Sequence, residues 1–159
     1  MPVNTGKVAR RAIRFETTDQ AIAEAERIAK LAADGKIEYL GNWDASQILN
    51  HVAAWAEYAY APNPVRAPWF VRLLVRPLKN KFLNQGLPAG RLIPRVPGGT
   101  THIEKVQLDE ALARFQKSFA RLKVDPPTEP SPVFGRMTQE EAIKLNLRHA
   151  ELHMSFVKG

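Results

Sequence analysis

The sequence predicts an all-α protein, a four-helix bundle with one long proline-rich crossover between its second and third helices. Four segments repeat apolar residues at the spacing of an amphipathic helix, and no alternating strand pattern competes with them. Seven of the 12 prolines lie in residues 61–106, outside these segments. At 159 residues the chain can bury a substantial core, so we expect one domain over 1–159 with an N-terminal arm at 1–16.

Each helix is predicted from its apolar stripe and its end signals. Gly35 is a natural stop for the first helix. Asp44 with Gln47 and Thr138 with Glu141 have the spacing of capping boxes, which begin the second and fourth helices. The predicted helices are, in order, about 18–34, 44–60, 108–123 and 138–157.

The crossover, residues 61–106, carries the net charge of the chain. It holds eight basic residues against one acidic residue, whereas the rest of the chain holds 15 of each. A basic character confined to one segment differs from the uniformly basic surface of a nucleic-acid binder, so no nucleic-acid partner is predicted. Within the crossover, residues 67–84 fit a helix kinked near Pro77.

The composition excludes several kinds of chemistry. The chain has no cysteine, so disulfides, thiolate metal ligands and a cysteine nucleophile are excluded. Any metal must therefore be held by nitrogen and oxygen, and any thiol must be supplied from outside. No apolar run reaches the roughly 18 residues of a membrane span, and the N-terminus lacks the apolar stretch of a signal peptide. We expect a cytoplasmic protein without integral membrane association.

Two of the four histidines, His149 and His153, are four residues apart and share one face of the fourth predicted helix. A helical wheel places them, with Asn146, opposite the charged residues and towards the bundle interior. The same wheel predicts a solvent-exposed stripe formed by Lys144, Arg148, Glu151, Ser155 and Lys158.

His51 lies on the shoulder of the buried face of the second predicted helix, while Asn50 and Glu57 are predicted to face solvent. Three imidazoles from two helices would form a metal site that leaves positions free for water or substrate. A bound metal would also offset the ~1–3 kcal/mol cost of burying an unpaired polar group. The alternative is that the histidines are core residues that hydrogen-bond to one another and to Asn146.

Other residues near His51 have two interpretations each. Trp55, one helical turn away, forms either a pocket wall or plain core packing. Asp44 is the nearest carboxylate on the same side, but it also suits a helix cap. Glu151 is expected to face solvent, so no general base is evident. His102 is interpreted as a surface histidine, or alternatively as a proton carrier at the site.

The crossover has three open interpretations. Arg72, Arg76 and Lys79 share one helical face and could bind carboxylates or phosphates at the mouth of the site, or remain simply solvated. Arg66, Arg91 and Arg95 could add to this group. Four apolar residues beside the arginines fit an interfacial membrane helix, or a cover for the end of the bundle; these are Trp69, Phe70, Leu73 and Leu74.

Two pieces of the chain carry a family resemblance. GNWDASQILNHVAAWAEY resembles the second-helix motif of the DinB/YfiT-like superfamily, which ends in a metal-ligand histidine, here His51. SPVFGRMTQEEAIKLNLRHAELHMSF resembles its last helix with the HxxxH motif, here His149 and His153. More narrowly, the chain resembles an uncharacterised domain family within that superfamily. The resemblance covers about 18–60 and 108–157, is weak across 61–106, and has Leu152 where many relatives carry another histidine.

This resemblance implies a four-helix bundle in which three histidines hold a divalent zinc, nickel or iron ion, often in a homodimer. It further implies transfer or isomerisation with a low-molecular-weight thiol, or hydrolysis, on a small molecule. The function predicted from the sequence is therefore that of a metal-dependent thiol transferase, isomerase or hydrolase. The alternative is a non-catalytic helical bundle whose basic crossover binds an anionic partner or a membrane surface.

Overall fold

The computed structural model describes residues 2–65, 67–92 and 99–159. The chain is mainly helical, as predicted, and the structure adds one small antiparallel strand pair. The elements, in chain order, are α1 (Thr18–Ala33), β1 (Glu38–Tyr39), α2 (Ala45–Glu57), α3 (Trp69–Val75), α4 (Lys79–Gln85), α5 (Leu108–Val124), α6 (Gln139–Met154) and β2 (Val157–Lys158).

The four longest helices correspond to the four predicted helices, and side-chain caps fix the starts of α1, α2 and α6. The predicted capping boxes of Asp44 with Gln47 and of Thr138 with Glu141 are both present. The end of α6 differs from the prediction: the helix stops at Met154 rather than near residue 157. Residues Val157–Lys158 leave the helix and pair antiparallel with Glu38–Tyr39.

Helix α2 lies at the centre of the fold, against α1, α5 and α6. The prediction that Asn50 faces solvent is wrong, because Asn50 is buried and its side chain accepts a hydrogen bond from Arg114 Nη1 at 2.7 Å. Arg114 also pairs with Glu57 across the same α2–α5 contact at 2.6 Å. Polar side chains on this face of α2 therefore bind a neighbouring helix instead of water. The core includes Ile28, Leu49, Val52, Phe115, Phe119 and Leu147.

The predicted solvent-exposed stripe of α6 is also wrong for Arg148, Glu151 and Ser155, which are all buried. The N-terminal arm covers them. The backbone N–H of Phe15 donates to Glu151 at 2.7 Å, and the carbonyl oxygen of Phe15 accepts from Arg148. Arg148 and Glu151 also pair with each other at 3.1 Å. The helical wheel failed here because it treats charge as a sign of exposure, whereas these charges satisfy one another under the arm.

The predicted kinked helix of the crossover is present. Helices α3 and α4 are joined by a 3₁₀ turn at Arg76–Leu78 that contains Pro77, which has no backbone N–H to continue the α-helical hydrogen bonds. Helix α4 packs against α6. None of the helices in the described ranges is both long and apolar enough to cross a membrane. Arg66 and Arg95, predicted to add to a basic group, lie outside the described residues.

Candidate metal centre

The structure brings the three predicted histidines together. His51 comes from α2, and His149 and His153 come from successive turns of α6. One ring nitrogen from each residue lies within 4.8 Å of the other two. The ring centroid of His51 lies 5.1 Å from that of His149 and 4.6 Å from that of His153. Two helices that cross in the core thus present three imidazoles to one point.

A backbone carbonyl fixes the orientation of His51. Its Nδ1 lies 2.7 Å from the carbonyl oxygen of Thr101, which can only accept a hydrogen bond. The neutral ring must therefore carry its proton on Nδ1, which leaves the Nε2 lone pair free to bind a metal. A carbonyl partner of this kind is the usual outer-shell support for a histidine ligand, because it sets both tautomer and ring direction.

The Nε2 atoms of His149 and His153 lie 3.0 Å apart. In the described part of the chain each of these atoms has only the other as a hydrogen-bond partner. Both rings are half-buried, because they face a cavity. Nitrogen ligands on a tetrahedral zinc ion lie about 3.3 Å apart, which follows from Zn–N bonds of about 2.0 Å. The spacing of this pair therefore suits a shared ion.

Burial keeps the three imidazoles neutral. Desolvation lowers the pKa of His51 from 6.5 to about 4, although the hydrogen bond to Thr101 raises it. Desolvation, with the neighbouring imidazoles, also lowers the pKa of His149 and of His153 well below the ordinary value. A neutral imidazole is the form that ligates a metal, so the site is in its ligating state at neutral pH.

Two tryptophans enclose the histidines. Trp43 stacks on His153 with ring centroids 5.1 Å apart and an interplanar angle of 13°, and it also lies 4.9 Å from His51. Trp55 lies 6.1 Å from His51 and 5.8 Å from His149. Both indoles line the cavity, so the structure places Trp55 where the pocket-wall interpretation put it. The indoles fix the rings sterically and exclude water from their edges.

The cavity at the histidines has a volume of about 540 Å³. Its walls are mostly apolar and come from α2, α6, the crossover and the proline-rich turn between α5 and α6. Leu145, Leu152 and Phe156 line it beside the histidines, and Val75 and Phe82 line it from the crossover. Among the described residues, its charged lining consists of Arg91 and Glu129. A cavity of this size and lining is suited to a small, largely apolar molecule next to the three imidazoles.

Of the other two predicted pocket residues, one lies at the cavity and the other does not. Asn146 lines the cavity, but its side-chain amide donates to the Ala142 carbonyl at 2.9 Å instead of binding a histidine. Asp44 caps α2 and pairs with Lys105 at 2.9 Å. Burial raises the pKa of Asp44, but its hydrogen bonds to Gln47, Lys105 and Ser46 outweigh this and lower it. Asp44 does not line the cavity.

The three predicted anion-binding residues do not line the cavity within the described chain either. Lys79 forms an ion pair with Glu141, and Arg76 Nε lies 3.5 Å from the carbonyl oxygen of Phe134. Arg72 lies half-buried on α3. Of the crossover arginines that the structure describes, Arg91 lies in the cavity wall.

Several residues at the site are not predicted from the sequence. Tyr58 lines the cavity, and its hydroxyl oxygen lies 2.7 Å from Nε2 of His102. His102 is half-buried, has a φ of 59° and does not itself line the cavity. Tyr58 lies seven residues after His51, two helical turns along the same face, and that spacing is a signal that could have identified it. The Thr101 carbonyl and Glu129 lie in irregular segments and leave no such signal.

A protein family described as "Protein of unknown function (DUF1569)" matches residues 7–159. This match confirms the sequence-based prediction of an uncharacterised domain family, while the wider DinB/YfiT-like relationship stays a prediction. No curated protein and no solved structure matches the chain.

Proposed function

The chain belongs to the DUF1569 family of proteins of unknown function, and from this premise we propose that it is a divalent-metal-dependent enzyme acting on a small molecule. The observation that carries the proposal is the convergence of His51, His149 and His153 on the wall of a cavity of about 540 Å³. Four long helices around one core, two of which supply these histidines, support the wider prediction of a DinB/YfiT-like four-helix bundle.

The donor set fits a borderline divalent ion such as zinc, nickel or iron, for which imidazole is a suitable ligand. His51 is held in the ligating tautomer by Thr101, and the Nε2 atoms of His149 and His153 meet each other and no other described donor or acceptor. Three protein ligands would leave at least one coordination position open on a bound ion, and the cavity is lined by the three histidines themselves. Open coordination next to an enclosed space is the arrangement of a catalytic rather than a structural site.

A divalent ion there would supply one of two chemistries, a bound water with its pKa lowered towards about 7 or an external thiol held as thiolate. The chain itself has no cysteine, so the thiol would be a small diffusible molecule. His51, His149 and His153 would hold the ion, Trp43 and Trp55 would exclude bulk water, and the apolar walls would orient the substrate.

The position of Glu129 favours thiol activation over water activation. A metal-dependent hydrolase uses a general base close to the bound water. Glu129 is the carboxylate among the described cavity-lining residues, and its backbone N–H donates to Ala59. Ala59 lies eight residues beyond His51, roughly 12 Å at 1.5 Å per residue along a helix. A thiol bound as thiolate needs no base beside the metal, and this matches the chemistry that the DinB/YfiT-like resemblance implies.

The alternative of a purely structural histidine cluster agrees less well with the contacts. It predicts hydrogen bonds between the histidines and Asn146 and a closed core. His149 and His153 do approach each other, but Asn146 donates to Ala142 and the rings border a large cavity. These two features support a ligand-binding site over a filled core.

The metal proposal is tested with protein that carries no affinity tag. Protein stripped with a chelator is titrated with zinc, nickel and ferrous ions by calorimetry, and the expected result is one equivalent bound per chain. His149→Ala should abolish this binding. His102→Ala is the matched control, since His102 lies near the site without belonging to the triad, and it should bind as the unmodified protein does. Less than a tenth of an equivalent bound by the unmodified protein would refute the metal site.

The reaction class is tested on metal-loaded protein. Consumption of small thiols is measured with apolar electrophiles, and ester and amide hydrolysis is measured without thiol. Thiol-dependent turnover that disappears in His149→Ala supports the thiol chemistry. Turnover of an ester at equal rates with and without thiol would instead assign the protein as a hydrolase.

A further inference from the structure

Helix α3 presents a large apolar face to solvent. Trp69 is 75% exposed, Leu73 is 65% exposed and Leu74 is 71% exposed, and Phe70 is half exposed beside them. Positions 69 and 73, and positions 70 and 74, are each four apart, so the four side chains form one continuous patch on the helix. We call these four residues the α3 patch. A contiguous exposed patch of large apolar side chains marks an interaction surface.

Basic residues adjoin the α3 patch along the chain. Arg72 lies on the same helix, and Arg76 and Lys81 follow in the 3₁₀ turn and α4. Lys81 is exposed, Arg72 is half-buried, and Arg76 Nε lies 3.5 Å from the carbonyl oxygen of Phe134; no ion pair of the described residues joins any of the three to a carboxylate. The crossover as a whole holds eight basic residues and one acidic residue. The surface therefore combines exposed aromatic and aliphatic side chains with a local excess of cations.

This charge indicates what covers the α3 patch. A second copy of the chain would bring two cationic crossovers together, and like charges across an interface oppose association. A bilayer surface rich in anionic lipids instead offers negative headgroups to the arginines and an apolar layer to the α3 patch. We propose that helix α3 and the following turn dock on the surface of a membrane that contains anionic lipids.

The opposite side of the same segment lines the cavity. Val75, at the end of α3, and Phe82, in α4, both face the space beside the histidines. Docking through the α3 patch therefore places the cavity wall next to the bilayer, without any part of the chain crossing it. The inference does not depend on a bound metal, because the patch and its charges are properties of the chain itself.

Vesicle co-sedimentation tests this proposal. Vesicles of phosphatidylcholine with 30% phosphatidylserine are compared with vesicles of pure phosphatidylcholine. The expected result is binding to the anionic vesicles at least tenfold tighter than to the neutral ones, weakening as salt is raised. Leu73→Ser with Leu74→Ser should reduce the affinity about tenfold or more, and Arg72→Ala with Arg76→Ala about tenfold.

Matched controls are available elsewhere on the surface. Val124→Ser removes an exposed apolar side chain from the end of α5, and Lys36→Ala with Lys117→Ala removes two exposed cations; both should leave vesicle binding unchanged. Circular dichroism confirms that each variant is folded. Three results would overturn the proposal: no binding to the anionic vesicles, equal binding to the neutral ones, or a concentration-dependent dimer that the Leu73→Ser, Leu74→Ser variant abolishes.

Discussion

Helix α6 carries two groups of polar side chains that are at least partly buried. One face carries Arg148 and Glu151, which bind each other and both backbone groups of Phe15 under the N-terminal arm. The other carries His149 and His153, whose Nε2 atoms meet only each other among the described residues and border a cavity. The charges of the first face are paired within the chain and therefore contribute structure. The second has unused ligand capacity and is therefore the candidate metal site.

The largest expected difference between the two faces is their response to metal. A ligand present at 1,000 times its dissociation constant stabilises a folded protein by about 4 kcal/mol. We therefore expect saturating zinc to raise the free energy of unfolding by about that amount over chelated protein, as measured by urea denaturation. His153→Ala should remove the difference. If this variant were stabilised by zinc as strongly as the unmodified protein, the histidine face would not be the site.

Mutation of the face of α6 under the N-terminal arm should lower the free energy of unfolding of both the zinc-bound and the chelated protein. Glu151→Ala removes one partner of a buried pair and leaves Arg148 with an uncompensated charge, which costs about 3 kcal/mol or more. We expect the same loss with zinc and with chelator, because the arm contacts do not involve the histidines. Glu140→Ala, on the exposed first turn of α6, is the control and should cost less than about 0.5 kcal/mol. A loss confined to the zinc-bound form would mean that Glu151 serves the metal.

Asp44 offers a further test of the idea that a polar side chain already paired within the chain serves the fold and not the metal site. Its side chain already accepts from Gln47 and Ser46 and pairs with Lys105. Asp44→Ala should therefore cost about 1 kcal/mol as a lost helix cap, and Asp44→Ser should restore most of it. Zinc affinity by calorimetry should stay within twofold in both variants. A tenfold loss of affinity would show that this carboxylate supports the site.

The smallest expected effect is a pH dependence of the arm. Burial raises the pKa of Glu24, but hydrogen bonds from Arg27 and from Arg11 of the arm outweigh it and hold the pKa below 4.5. A carboxyl group whose folded pKa is depressed stabilises the protein above its ordinary pKa and loses that contribution as the pH falls through the folded value. The thermal midpoint should therefore fall less steeply between pH 5 and about pH 3 in Glu24→Gln. Identical slopes in the two proteins would contradict this role.

The sequence predicts those parts of the fold that depend on local signals. The capping residues Asp44 and Thr138 place the starts of α2 and α6, and the spacing of His149 and His153 puts both rings on one face. His51 is harder to assign, because its shoulder position becomes a site only when α2 crosses α6. The helical wheel proposed it as a third ligand, and the family resemblance implied the same role.

What the sequence does not predict depends on contacts between distant segments. Burial of Arg148 and Glu151 requires the N-terminal arm, which lies more than 100 residues away in the chain. A helical wheel represents one helix alone and cannot show this contact. The tautomer of His51 is set by a backbone carbonyl at Thr101, which any residue type could supply. Strands of two residues each, as in β1 and β2, are too short to show an alternating pattern.

The segment from α3 to α4 is a part of the cavity enclosure with few buried anchors. Leu83 is its single buried side chain, and the ion pair of Lys79 with Glu141 joins it to α6. Segments with few buried contacts open at low free energy. We expect amide hydrogens at 69–85 to exchange with solvent far sooner than those of α2. When this segment opens, small molecules can enter the cavity while the histidines and the helices that carry them stay in place.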